Sequence, residues 1–303
     1  MKPPPRTMLA RVKAYLAQRR ALGYQLRREG AYLLSFGRYA DHSGHRGPPR
    51  NALMLRWARW ARRPNRATWA RRLEIVRLFA KHCQASERGA QVPPRHIFGS
   101  RPPRPTPHLY SGQEIRELLC RARQLPDAWQ SQTYTVLLGL LAGTGLRISE
   151  ALGLHVADVN LVRGVLCVRE SKYHKLRWVP LHATTVRRLK SYLRQRRRWP
   201  SRDPHLFVAK HGDRLLYATV HRVFRQLRRG LAEPAKPRLH DLRHRFAVRV
   251  LMRWQAQKQG VAHRLPILAC YLGHNQVAHT YWYLQAFPEL LAQAARAFRP
   301  IGK

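Results

Sequence analysis

The chain has 303 residues, enough for two ordinary domains of about 100–200 residues, each with its own core. Hydrophobic residues make up 45% of it, which excludes a disordered polymer, and its longest apolar run, Thr135 to Gly143, is far short of the roughly 20 residues of a membrane span. The formal net charge of +43, from 58 Lys and Arg against 15 Asp and Glu, points to a polyanionic partner, nucleic acid first; no long basic amphipathic helix favours a membrane surface. Arginine outnumbers lysine by 48 to 10, so a usage bias carries part of the excess. Cys83, Cys120, Cys167 and Cys270 stand far apart without a C-x-x-C pair, so neither a disulfide framework nor a zinc site is expected. With no signal-peptide apolar stretch, a cytoplasmic, nucleoid-associated protein is expected.

In chain order, four helices are predicted over the first part: "MLARVKAYLAQRRALG", "GAYLLSFGRYADHSG", "ALMLRWARWARR" and "ATWARRLEIVRLFAKHC". In the last of these, Trp69, Leu73, Val76 and Ala80 form a core stripe with Phe79 at its edge, while Arg71, Arg72, Arg77 and Lys81 spread over other faces. The Pro-rich stretch 99–110 can be neither helix nor central strand and reads as a linker. A second domain opens at Ser111, whose spacing to Glu114 predicts a capping box. "SQTYTVLLGLLAGTG" follows as a buried helix, "RISEALGL" as another, and "GVLCVRESKYHKLRWVPL" as a small hairpin or sheet. After Pro180 the chain returns to helices. The fold expected is mainly α: a helical domain over 1–98, a linker over 99–110, and an α+β domain with a small β-sheet over 111–303.

Four stretches, in order and spacing, resemble the tyrosine recombinase or phage integrase family. "AGTGLRISEALGL" is similar to its first arginine box, "ESKYHKLRWVPL" to its lysine hairpin, "LHDLRHRFA" to its H-x-x-R box and "LGHNQVAHTYWY" to its nucleophile box. The resemblance implies a helical, SAM-like core-binding domain at the N-terminus and a catalytic domain after the linker. It implies a site-specific DNA recombinase that clamps double-stranded DNA between its domains and acts as a homo-tetramer on two sites, without cofactor or metal.

By that resemblance the nucleophile follows His274 by nine positions, which assigns it to Tyr283. Helical geometry supports a single tyrosine, since residues two apart point about 200° from each other and Tyr281 cannot share the cleft. The chemistry implied is attack on a phosphodiester to give a 3′-phosphotyrosine and a free 5′-hydroxyl. Arg147 and Arg243 would clamp the nonbridging oxygens where other nucleases use metal ions. His240 would accept the tyrosine proton and His274 would donate to a phosphate oxygen. Lys172 would protonate the leaving oxygen, which arginine does poorly, with Lys175 as the fallback. Glu150 and His244 match supporting positions beside these groups.

The chain departs from the family pattern at Arg245, often a small hydroxyl residue, and at "SKYHK", where glycines usually flank the lysine. The tail carries Leu290, Leu291, Ala294 and Phe298 at helical spacing. That amphipathic segment either packs on its own core or, as the resemblance implies, docks on the neighbouring subunit. A transposon-borne integrase acting with sister recombinases, a type IB topoisomerase and a catalytically idle DNA-binding protein remain alternatives.

Overall fold

The computed structural model describes residues 6–61, 65–99, 107–169, 176–231, 237–257, 260–273 and 280. It is mostly helical with one small sheet, and the chain divides into two compact units, 1–104 and 105–303.

The first unit holds helices α1 (Met8–Ala21), α2 (Arg27–His42), α3 (Asn51–Arg59) and α4 (Arg66–Gln84). A helix leaves its first backbone N–H groups without partners inside it, and side chains supply them at α1 and α4. Thr7 and Asn65 cap α1 and α4 locally through their side chains, while the Asp41 carboxylate reaches from the end of α2 to the N–H groups of Met8 and Leu9, at 2.8 and 3.1 Å. The core is formed by Val12, Leu16, Phe36, Met54, Trp57, Val76 and Phe79. Here the expected stripe on α4 needs correction. Phe79 lies at its centre, fully buried with its ring edge-on to Tyr15 at 5.5 Å, whereas Trp69 is only half-buried beside Phe98. Arg72 is buried as well: its guanidinium lies 4.0 Å over the Trp57 ring and donates to the Trp60 carbonyl at 3.1 Å. The α2 helix also begins three residues before the predicted Gly30.

The second unit contains α5 (Gly112–Arg123), α6 (Ala128–Thr144), α7 (Ile148–Gly153), strands β1 (Val159–Asn160), β2 (Val165–Arg169) and β3 (Leu176–Pro180), then α8 (Ala183–Arg198), α9 (Tyr217–Leu227), α10 (Leu239–Ala256) and α11 (Val261–Leu272). The predicted capping box is present at α5, with Ser111 and Glu114 each accepting from the other's backbone. The C-terminal half of α6, Val136 to Gly143, is apolar on all sides, and the helix packs against α5, α8 and α10, burying Leu137, Leu138, Leu140 and Leu141. The sheet is antiparallel in the order β1-β2-β3, with Leu166 opposite Val179 and Val168 opposite Arg177. Its inner face buries Leu166, Val168 and Val179, and its outer face leaves Leu176 and Trp178 exposed. Tyr110, at the end of the Pro-rich stretch, is buried in this unit's core, and residues 100–106 of that stretch lie outside the described residues.

Candidate active site

Five segments build the site: the turn after α6, the start of α7, strand β3, the first turn of α10 and the C-terminus of α11. The α6 helix stops because Gly145 adopts φ 65°, and a Cβ there would lie 2.6 Å from the Phe246 ring. The turn presents the Gly145 carbonyl, which accepts from Arg243 Nη1 at 2.9 Å. Two residues later Arg147 becomes the N-cap of α7.

Glu150 is the acid on which this region closes. Its Oε2 accepts from the Arg147 backbone N–H at 2.8 Å and its Oε1 from Arg147 Nη1 at 2.6 Å. Oε2 also accepts from Arg177 Nη2 at 2.7 Å and stands 4.0 Å from Arg243 Nη1. Burial alone would raise this carboxyl's pKa. The Arg177 hydrogen bond and charge, then the backbone N–H and charge of Arg147, outweigh burial and hold it below the usual carboxylate range.

The C-terminus of α11 supplies the other anchor. A helix ends with carbonyls that have no partner inside it and with the negative pole of its dipole. The Gly273 N–H turns back to the carbonyls of Ala269 and Cys270. The next three carbonyls each receive a different arginine: Tyr271 takes Arg177 Nε at 3.0 Å, Leu272 takes Arg243 Nη2 at 2.6 Å, and Gly273 takes Arg147 Nη2 at 2.8 Å. Cations therefore complete the helix end, and the helix end orients the cations. The Arg243 side chain is 2% exposed and that of Arg147 is 35% exposed, so Arg147 forms the open side of the cluster.

On α10, the Asp241 carboxylate accepts from the Arg238 backbone N–H at 2.7 Å and fixes the first turn. That turn carries His240 and Arg243, three residues apart. His240 keeps a solvent-exposed surface, yet the protein packed behind it and then the Arg243 charge lower its imidazole pKa. His244 is buried, edge-on to His240 at 4.6 Å, and burial followed by the His240 charge lowers it to about 3. Tyr271 stacks on Phe246 at 5.4 Å, and burial pushes its phenol up to about 12. It is a packing residue.

Of the predicted site residues, the structure thus brings together Arg147 and Arg243, with Glu150 between them and His240 on the same helical turn as Arg243. Lys172, His274 and Tyr283 lie outside the described residues, as do Lys175, Tyr281 and the tail. Arg177 was not among the residues singled out. Its signal is visible only once the strand phase is known: it occupies the inward phase of β3, alternating with the exposed Leu176 and Trp178, where a cation needs an acid. Arg245, which departs from the family pattern, is buried and donates from Nε to the Tyr110 carbonyl at 2.8 Å, so the longer side chain ties α10 to the segment that enters this unit.

The family model described as Phage integrase family matches residues 110–289, more than half of the sequence, and the chain belongs to that family. It is a tyrosine-type site-specific recombinase. A protein of Sinorhizobium fredii named as an integrase/recombinase, y4rB, is 39% identical over 301 residues, covering 94% of this chain and 95% of its own. The tyrosine recombinase XerA of Pyrococcus furiosus is 31% identical over 195 residues, 63% of this chain and 62% of that protein. Among solved structures, the Tn1549 transposon integrase in complex with transposon right end DNA shares the fold with a TM-score of 0.68 at 16% identity, covering 96% and 98% of the two chains.

Proposed function

We propose that this recombinase cuts and rejoins double-stranded DNA through a 3′-phosphotyrosine on Tyr283, without metal or cofactor. The observation that carries the reading is the seating of Arg147 and Arg243 on two successive carbonyls immediately before the segment bearing His274 and Tyr283. The Tyr283 oxygen attacks phosphorus as the bond to the 5′-oxygen breaks. The phenol proton passes to His240, whose lowered pKa leaves it neutral and able to accept near neutral pH. Lys172 gives a proton to the departing 5′-oxygen, and His274 donates to a nonbridging oxygen. Arg147, on the open side, meets the phosphate, and the buried Arg243 adds a second positive charge beneath it, stabilising the extra negative charge of the transition state. Reversal of these transfers on a new 5′-hydroxyl completes strand exchange and needs no ATP.

In the same reading the first unit is a core-binding domain and the second the catalytic domain, joined by the Pro-rich stretch as a clamp around DNA. Four copies act on two sites, the tail linking neighbours, in the compartment that holds the DNA. The names of the S. fredii relative and of the Tn1549 integrase support a mobile-element role, with or without sister recombinases. The test is a nicked suicide substrate that traps the covalent adduct. Adduct should form in EDTA at an undiminished rate and vanish in Tyr283→Phe with DNA binding retained; adduct in Tyr283→Phe but not in Tyr281→Phe, or an absolute need for a divalent ion, would overturn the mechanism.

A further inference from the structure

Lys172 falls between β2 and β3, outside the described residues, and a proton donor is useful only if it is held at a fixed distance from the phosphate. The side chain that ties this hairpin to the arginine cluster is Arg177, the second residue of β3. It is 11% exposed, opposite Val168 in the ladder, with Nε on the Tyr271 carbonyl and Nη2 on Glu150. It thus joins three parts of the chain that are distant in sequence: strand β3, the acid that holds Arg147, and the helix end that precedes His274.

We propose that Arg177 is a positioning residue for the cleavage step, holding β3, at a position five residues after Lys172, in register with the arginine pair. This rests on the reading of Lys172 as the proton donor. Arg147 retains Glu150 and the Gly273 carbonyl without Arg177, and Arg243 retains the carbonyls of Gly145 and Leu272. The arginine pair therefore keeps its own seats, and the loss falls on the lysine side. Lysine cannot replace Arg177, because a single ammonium does not span the two acceptors that Nε and Nη2 reach from a rigid fork.

The experiment compares a normal suicide substrate with one carrying sulfur in place of the 5′-bridging oxygen. A thiol of pKa near 8.5 leaves as thiolate, so this substrate breaks its P–S bond without a proton from the enzyme. Arg177→Met and Arg177→Lys should bind the DNA site near wild type and cleave the oxygen substrate roughly 100-fold more slowly, the scale of a misplaced catalytic group. Both should cleave the sulfur substrate at near the wild-type rate. Lys172→Ala separates the two ideas: if sulfur fails to restore Lys172→Ala, the reading of Lys172 fails. If sulfur restores Lys172→Ala but neither Arg177 variant, or if Arg177→Lys cleaves the oxygen substrate normally, the positioning role is overturned. Arg177→Lys preserves the charge beside Glu150, so it decides the matter even if Arg177→Met does not fold.

Discussion

His244 shows how a buried group beside the site writes a pH dependence into the whole unit. Its folded pKa of about 3 lies below its ordinary value of 6.5, and that of His240 is lowered too, with Asp241 opposing and Arg238 and Arg243 reinforcing the shift. Between those two values the unfolded chain binds a proton that the folded chain refuses, so stability is complete above about pH 6.5 and falls as the pH drops through the window. For His244 alone the loss at about pH 5 amounts to about 2 kcal/mol. Urea unfolding at about pH 7.5 and about pH 5 should show a smaller acid loss in His244→Asn than in the unsubstituted protein. Equal losses would mean that other groups set the acid limit. The same residues mark the limit of what the sequence discloses. That Arg147, Arg243 and Glu150 lie together is legible because each lies in a short motif, and Glu150 is within one helical turn of Arg147. Arg177 is not, because one arginine among 48 acquires meaning only from a partner 27 residues away and from the phase of its strand.

Among elements, local chemistry is what the sequence states most clearly. The Ser111–Glu114 capping box and the glycine end of α6 depend on neighbours within a turn, and both are present. The stripe on α4 depends on which helices cover it, and periodicity alone cannot say that Phe79 lies at its centre or that Arg72 is drawn in over an indole. The packing of α1 on α2 is a further case that no periodicity reveals. A Cβ on Gly37 would stand 2.8 Å from the Leu9 Cα, a backbone atom that cannot swing aside. Gly37→Ala should therefore destabilise the first unit by roughly 1–3 kcal/mol, despite alanine's better helix propensity. Thermal or denaturant unfolding would check the sign: a more stable variant would mean that the two helices separate at no cost.

At the scale of the whole molecule, the net charge of +43 dominates. Charge that serves mainly for phosphate contact makes affinity a property of the buffer, because each neutralised phosphate releases condensed counterions. Binding to a DNA site should weaken by roughly 1,000-fold or more between about 50 and 200 mM salt, as expected for six or more phosphate contacts. A titration at several salt concentrations gives the slope directly, and a flat slope would assign most of the charge to usage bias instead of contact. Among the described residues the first unit holds one buried cluster and the second unit two.

The seats of the three arginines on residues 271–273 are backbone carbonyls, so they belong to positions in the chain and not to particular side chains. Natural drift can change the side chains there while preserving the seats, whereas a shift of chain length cannot be absorbed. Tyr271→Phe should leave adduct formation within a few-fold of normal, since it keeps both the carbonyl and the ring on Phe246. One alanine inserted between Gly273 and His274 leaves every arginine seated but displaces His274 and Tyr283 by one chain position from those seats. Adduct formation should then be lost, with DNA binding retained. In this part of the molecule, substitutions at 271–273 should therefore be far better tolerated than insertions or deletions.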